Sequence, residues 1–149
     1  MFENHQSLEA EANKIVLEWE VERKKIEASK NNLQDADLSN LKLMNSDLSS
    51  ANLSGADLTS SYLIKSNLQN ADLSDADLTE AVLSDADLSG ANLESADLTE
   101  TYLTGADLSN VKNLTSDQLE LAFIDKDTIL PSNISVTWSE DGAFQCSDV

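Results

Sequence analysis

The sequence predicts an all-β solenoid, a four-sided β-helix of about four coils, with an α-helix before it and a short capping α-helix after it. Three observations carry this reading. Leu recurs every five residues without a gap from Leu33 to Leu108, sixteen times in all. The residue two before each Leu is Ala at ten of the sixteen positions and Ser or Thr at four more, so a small inward group accompanies nearly every large one. The residue just before each Leu is Asp or Asn except at Lys42, Tyr62, Val82 and Tyr102, which stand twenty residues apart.

A period of five fits neither regular element. On an α-helix, five residues advance about 500°, so successive Leu side chains scatter around the axis and leave no apolar face. On a straight strand, side chains alternate with period two, and an odd repeat sends every second Leu to the wrong side. The conflict disappears if the chain turns a corner once per unit. Ala and Leu then point inward from a short extended side, and the Asp or Asn between them points outward. The last two residues make the corner, where Ser, Thr, Asn, Asp and Gly are favoured. A chain that turns in this way winds into a closed solenoid with Leu inside.

The twenty-residue spacing of the four exceptions gives the number of sides. Twenty residues are four units, so residues twenty apart stack in a column. Asp37, Asp57, Asp77 and Asp97 form one column, and Lys42, Tyr62, Val82 and Tyr102 form another. Sixteen units make four coils, about 19 Å tall at ~4.8 Å per layer. The unit Ala-(Asp/Asn)-Leu-(Ser/Thr)-x, repeated over residues 31–112, resembles the pentapeptide-repeat family. That resemblance implies a right-handed quadrilateral β-helix. It says little about function, because a fold does not determine a site.

Four segments follow: residues 1–30, 31–112, 113–131 and 132–149. Residues 7 to about 29 read as a helix, with Ser7 as N-cap and Arg23, Lys24 and Lys25 towards its end. Leu8, Ala12, Ile15, Trp19 and Ile26 form a stripe that either lids the first coil or docks on another chain. Leu41, in place of the usual inward Ala, favours the lid, whereas Val16, Leu17 and Val21 lie off the stripe and favour docking. After Leu108 the register slips by one at Asn113-Leu114. Thr115-Ser116-Asp117-Gln118 is then a capping box that opens a helix over residues 116–122, with Leu119, Ala122 and Phe123 facing the last coil. By resemblance, a short helix before Leu130-Pro131 is the family's C-terminal cap. Ile134, Val136 and Trp138 alternate as in a strand, and the last residues read as a mobile tail.

Composition narrows the function. The 149 residues carry a net charge of −19, with one His (His5) and one Cys (Cys146). Catalysis through His or a Cys-His pair, an internal disulfide and a Cys-based zinc site are all excluded as readings. Acidity argues against direct nucleic-acid binding, which needs Lys and Arg against phosphate. No apolar run approaches about 20 residues and the N-terminus is no signal peptide, so a cytoplasmic location is expected, with no membrane contact. No cofactor or metal is expected. Stacked Asp columns offer too few convergent oxygens for Ca²⁺.

Two candidate surfaces remain. Tyr62, Val82 and Tyr102, with Met44 and Ile64, place apolar groups on a face that is otherwise Asp, Asn, Ser and Thr, and such a patch marks a contact. Three readings are open: the chain's own tail around Trp138 covers it, a protein partner or a second copy does, or the residues are tolerated at the surface with no occupant. A second copy is also considered through the N-terminal helix. The acidic face of Asp37, Asp57, Asp77 and Asp97 is the other candidate. Some members of the resembled family protect DNA gyrase by mimicking DNA, but four coils, no projecting loop and an all-Leu centre depart from them. The expectation is a non-enzymatic interaction or scaffold element, with an acidic DNA mimic as the alternative.

Overall fold

At the corner of every pentapeptide the backbone takes a left-handed conformation. In the structure, a computed structural model that describes residues 3–149, positive φ recurs at five-residue intervals from Asp35 (φ 54) to Asn110 (φ 55). Each corner closes with a three-residue hydrogen bond, as when the Ala36 N–H donates to the Leu33 carbonyl and Ala56 to Leu53. Positive φ at the third turn position suits Gly, Asn and Asp. Gly55, Gly90 and Gly105 occupy three corners, but Lys65, Glu80 and Glu100 hold the same conformation. The stack offsets their strain: the Glu80 N–H donates to the Thr99 carbonyl and the Lys65 N–H to Ser84, one coil on.

Coils stack in parallel with a twenty-residue offset. Single-residue bridges link Asp37 to Asp57, Asp77 and Asp97, and link Lys42 to Tyr62, Val82 and Tyr102. Each extended side is so short that one bridge residue is its whole ladder. Inside, all sixteen Leu from Leu33 to Leu108 are buried, in one core with the inward Ala residues.

Helix α1 (Glu3–Ala28) departs from expectation in two ways. It begins before Ser7, which lies inside it and is not the N-cap, because no Gly or Pro in Glu3–Gln6 breaks the helix. It is also not a lid along its length. Leu8 is 60% exposed, Ile15 45% and Trp19 39%, and of the stripe it is Ile26 that packs on the core, as Leu41 does. Twenty-six residues span about 39 Å, whereas five residues of one coil side span at most about 17 Å. The last turns anchor the helix: Arg23 Nη1 donates to the Met44 carbonyl, the Asp47 N–H to Glu27 Oε1, and the Asn52 N–H to the Lys30 carbonyl. A 3-10 turn, Lys30–Asn32, leads into the first coil.

At the other end the chain completes part of a fifth coil. Lys112 bridges Asn92, Phe123 bridges Tyr102, and Ile129 bridges Asp107. Helix α2 (Ser116–Glu120) forms one side and is shorter than expected, but its Thr115–Gln118 capping box is complete. Gln118 Nε2 donates to the Leu93 and Ala96 carbonyls, which ties α2 to the coil above. Leu119 and Ala122 are buried, but Phe123 faces outward because its backbone continues the extended column. Strands β1 (Ile134–Trp138) and β2 (Phe144–Asp148) form an antiparallel hairpin. Its inner face of Ile134, Val136, Trp138, Phe144 and Cys146 packs on the core, and the Cys146 N–H donates to Glu120. The tail is therefore an ordered hairpin beside α2.

Candidate functional site

The hairpin leaves the apolar column open. Tyr62 is 38% exposed and Tyr102 44%, so the tail around Trp138 is not the cover that the sequence made plausible. Trp138 instead packs on Phe144, with ring centroids 5.4 Å apart. The column is longer than the sequence suggested. Lys42 Nζ lies 3.1 Å from the centre of the Tyr62 ring, Val82 follows, and Tyr102 stacks on Phe123 with centroids 4.8 Å apart. Both ends of the apolar run thus carry an aromatic contact that fixes side-chain rotamers before anything binds. Met44 and Ile64, half-buried, flank the upper rows, and Leu121 is exposed beside the lowest. Phe123 was missed from sequence because the slip at Asn113 puts it twenty-one residues after Tyr102 instead of twenty.

Above the column, α1 crosses the rim. Val16, Trp19, Glu20 and Arg23 line a notch of about 110 Å³ with Lys42 and Met44. The apolar surface therefore runs from the helix onto the solenoid side.

The acidic columns do a different job. In Asp37, Oδ1 accepts both the N–H (3.1 Å) and the hydroxyl (2.7 Å) of Ser39. Asp57, Asp77 and Asp97 accept the N–H of Thr59, Thr79 and Thr99, each at 2.9 Å. Asn52, Asn67 and Asn92 do the same for Ser54, Gln69 and Glu94. The outward carboxylate is thus a corner brace, which explains why Asp or Asn precedes Leu and why Ser or Thr follows it. The braces also set the titration. Bonds from the Ser39 hydroxyl and N–H hold the Asp37 carboxyl below its ordinary value, and Ser74 and Thr99 do so for Asp72 and Asp97. Where carboxylates among the described residues depart from the ordinary value they fall, which is the sign of hydrogen bonding to the ionised form.

Among the described residues no group of three or more His, Cys, Asp or Glu side chains is arranged to hold a metal ion. No helix there is long and apolar enough to cross a membrane. Burial, with Glu120 and Asp148 nearby, pushes the Cys146 thiol up to about 11, so it stays protonated and unreactive at neutral pH.

The family model for pentapeptide repeats matches residues 32–70, 42–79 and 76–112, in eight copies. No curated protein sequence matches the chain. Among solved structures, a pentapeptide repeat protein from the cyanobacterium Cyanothece 51142 is 34% identical over 64% of each chain, with a TM-score of 0.56. HetL, a pentapeptide repeat protein involved in heterocyst differentiation regulation from Nostoc sp. strain PCC 7120, is 38% identical over 55% of this chain and 35% of its own, with a TM-score of 0.32. QnrB1, a plasmid-mediated fluoroquinolone resistance protein, is 17% identical over 69% of this chain and 78% of its own, with a TM-score of 0.38. The chain spans less than two thirds of the Cyanothece and Nostoc proteins. Motif, twenty-residue stacking and a family match that runs without a break from residue 32 to residue 112 agree, and the chain belongs to the pentapeptide-repeat family.

Proposed function

We propose that the chain is a non-enzymatic, rigid interaction element that presents the face from Lys42 to Phe123 to a protein partner. The observation that carries this is an apolar column on a wall braced row by row, exposed although the chain possesses a hairpin able to cover apolar surface elsewhere. A rigid face loses little conformational entropy on binding, and exposed Tyr and Phe are the residue types that dominate contact energies. Family membership supports the absence of catalysis and, by implication, a right-handed quadrilateral winding. The reading places the protein in the cytoplasm.

The test is affinity capture from source cells with wild type and the Tyr62→Ser/Tyr102→Ser variant. Partners lost by the variant at unchanged melting temperature support the reading; identical partner sets overturn it. A second reading, the acidic DNA mimic, is favoured by one observation: Asp57, Asp77 and Asp97 remain exposed in a single column. It predicts inhibition of gyrase supercoiling, or protection from quinolone, at micromolar protein. No effect at that concentration sinks it.

A further inference from the structure

The charges around the apolar column are sorted by height. Its upper solenoid rows carry Lys42 and Lys65 and no acid, with Glu20 and Arg23 of α1 above them in the notch. Its lower rows carry Glu80, Asp85 and Glu100, all exposed. Of the three bases in residues 31–112, two therefore lie on the upper half of this one face, above its acids. A surface that is basic at one end, acidic at the other and apolar between is complementary to its own inverted copy.

We infer that the partner of this face is a second copy of the chain, packed face to face with its solenoid axis reversed. This rests on the reading of the column as a contact surface. A two-fold axis across the face exchanges upper and lower rows while keeping lateral position, as an isologous contact requires. In the register that places Lys65 opposite Asp85 of the second copy, Lys42 meets Tyr102, and Tyr62 meets Val82. Glu80 and Glu100 then face Ser60 and Asn40, so within the four solenoid rows no like charges oppose each other. In a parallel two-fold arrangement, which reverses lateral position, Lys42 meets Lys42 and Glu80 meets Asp85. The same register carries the overhanging Phe123 towards the notch of the second copy, beside Trp19 and Arg23. The strip is about 24 Å tall over five rows. That is small for a stable interface, so the dimer is weak, with a dissociation constant in the micromolar range.

Sedimentation equilibrium on the purified full-length chain, from about 1 to about 300 μM, reads this out. Wild type is expected to dimerise reversibly, more weakly as salt rises. Lys65→Asp and Asp85→Lys, both at exposed positions, are each expected to weaken the dimer about 5- to 20-fold, since two symmetric pairs change at once. The double variant Lys65→Asp/Asp85→Lys is expected to recover wild-type affinity. Matching melting temperatures establish that each variant is folded. A wild-type monomer throughout the range overturns the inference, as does a dimer that neither single charge reversal weakens. A monomer whose Tyr62→Ser/Tyr102→Ser variant still loses cellular partners removes the second copy and leaves the contact surface standing. A dimer that obeys the charge pattern while capture shows identical partner sets does the reverse.

Discussion

The Asp before each Leu is a hydrogen-bond acceptor first and a charge second. Asp77 Oδ1 accepts the Thr79 N–H, and the Asn residues at equivalent positions make the same bond with an amide oxygen. Asp77→Asn is therefore expected to leave stability within about 0.5 kcal/mol, whereas Asp77→Ala costs about 1 kcal/mol, read by urea unfolding. The braces also fix the pH response. A carboxylate whose folded-state value is lowered stabilises the fold above its unfolded value and gives that up as pH falls through the folded one. Asp37, Asp47, Asp72 and Asp97 are all lowered, so the melting temperature is expected to fall as pH drops below about 4. A melting temperature that rises over that range would mean that relief of column repulsion outweighs the braces. The inward small positions hold a second residue-scale effect. Ser46 and Ser61 bury hydroxyls without a partner, while Ser66 and Thr101 bond to the Leu63 and Leu78 carbonyls. Ser46→Ala and Ser61→Ala are each expected to gain about 1 kcal/mol, and Thr101→Ala is not.

Among the elements, what repeats was legible in the sequence and what happens once was not. Twenty-residue spacing gave the columns because every coil answers to the same layer geometry. The corner conformation at Lys65 or Glu80 was not legible, since stack hydrogen bonds override a local preference for Gly or Asn. The extent of α1 was misread because a helical stripe records which residues would bury together, not whether a surface lies beneath them. Leu8 and Ile15 have the spacing of buried residues and stand in solvent; Ile26, two turns after Trp19, is the anchor. Leu8→Ser and Ile15→Ser are expected to change monomer stability by less than about 0.5 kcal/mol, and Ile26→Ala to cost about 2 kcal/mol, by thermal melting. The hairpin was half legible: alternation at Ile134, Val136 and Trp138 marked a strand, but the pairing of Trp138 with Phe144 depends on a turn at Gly142 that carries no repeat to flag it.

For the whole molecule, acidity and contact separate onto different faces. Half of the 28 acids lie in residues 31–112, and eight of those are Asp residues that precede a Leu and brace a corner. The apolar column occupies the one side where Asp and Asn are missing, and it extends through Phe123 to the cap. The chain has two tyrosines, Tyr62 and Tyr102, both in that column, so tyrosine-specific labelling reports on this face without background. The most direct measurement is the nitration rate of Tyr62 and Tyr102 in dilute protein and in the captured complex. Both are expected to react freely when the chain is alone and to be protected when its partner is bound. Two tyrosines unreactive in dilute protein, or equally reactive in the complex, would contradict the contact face.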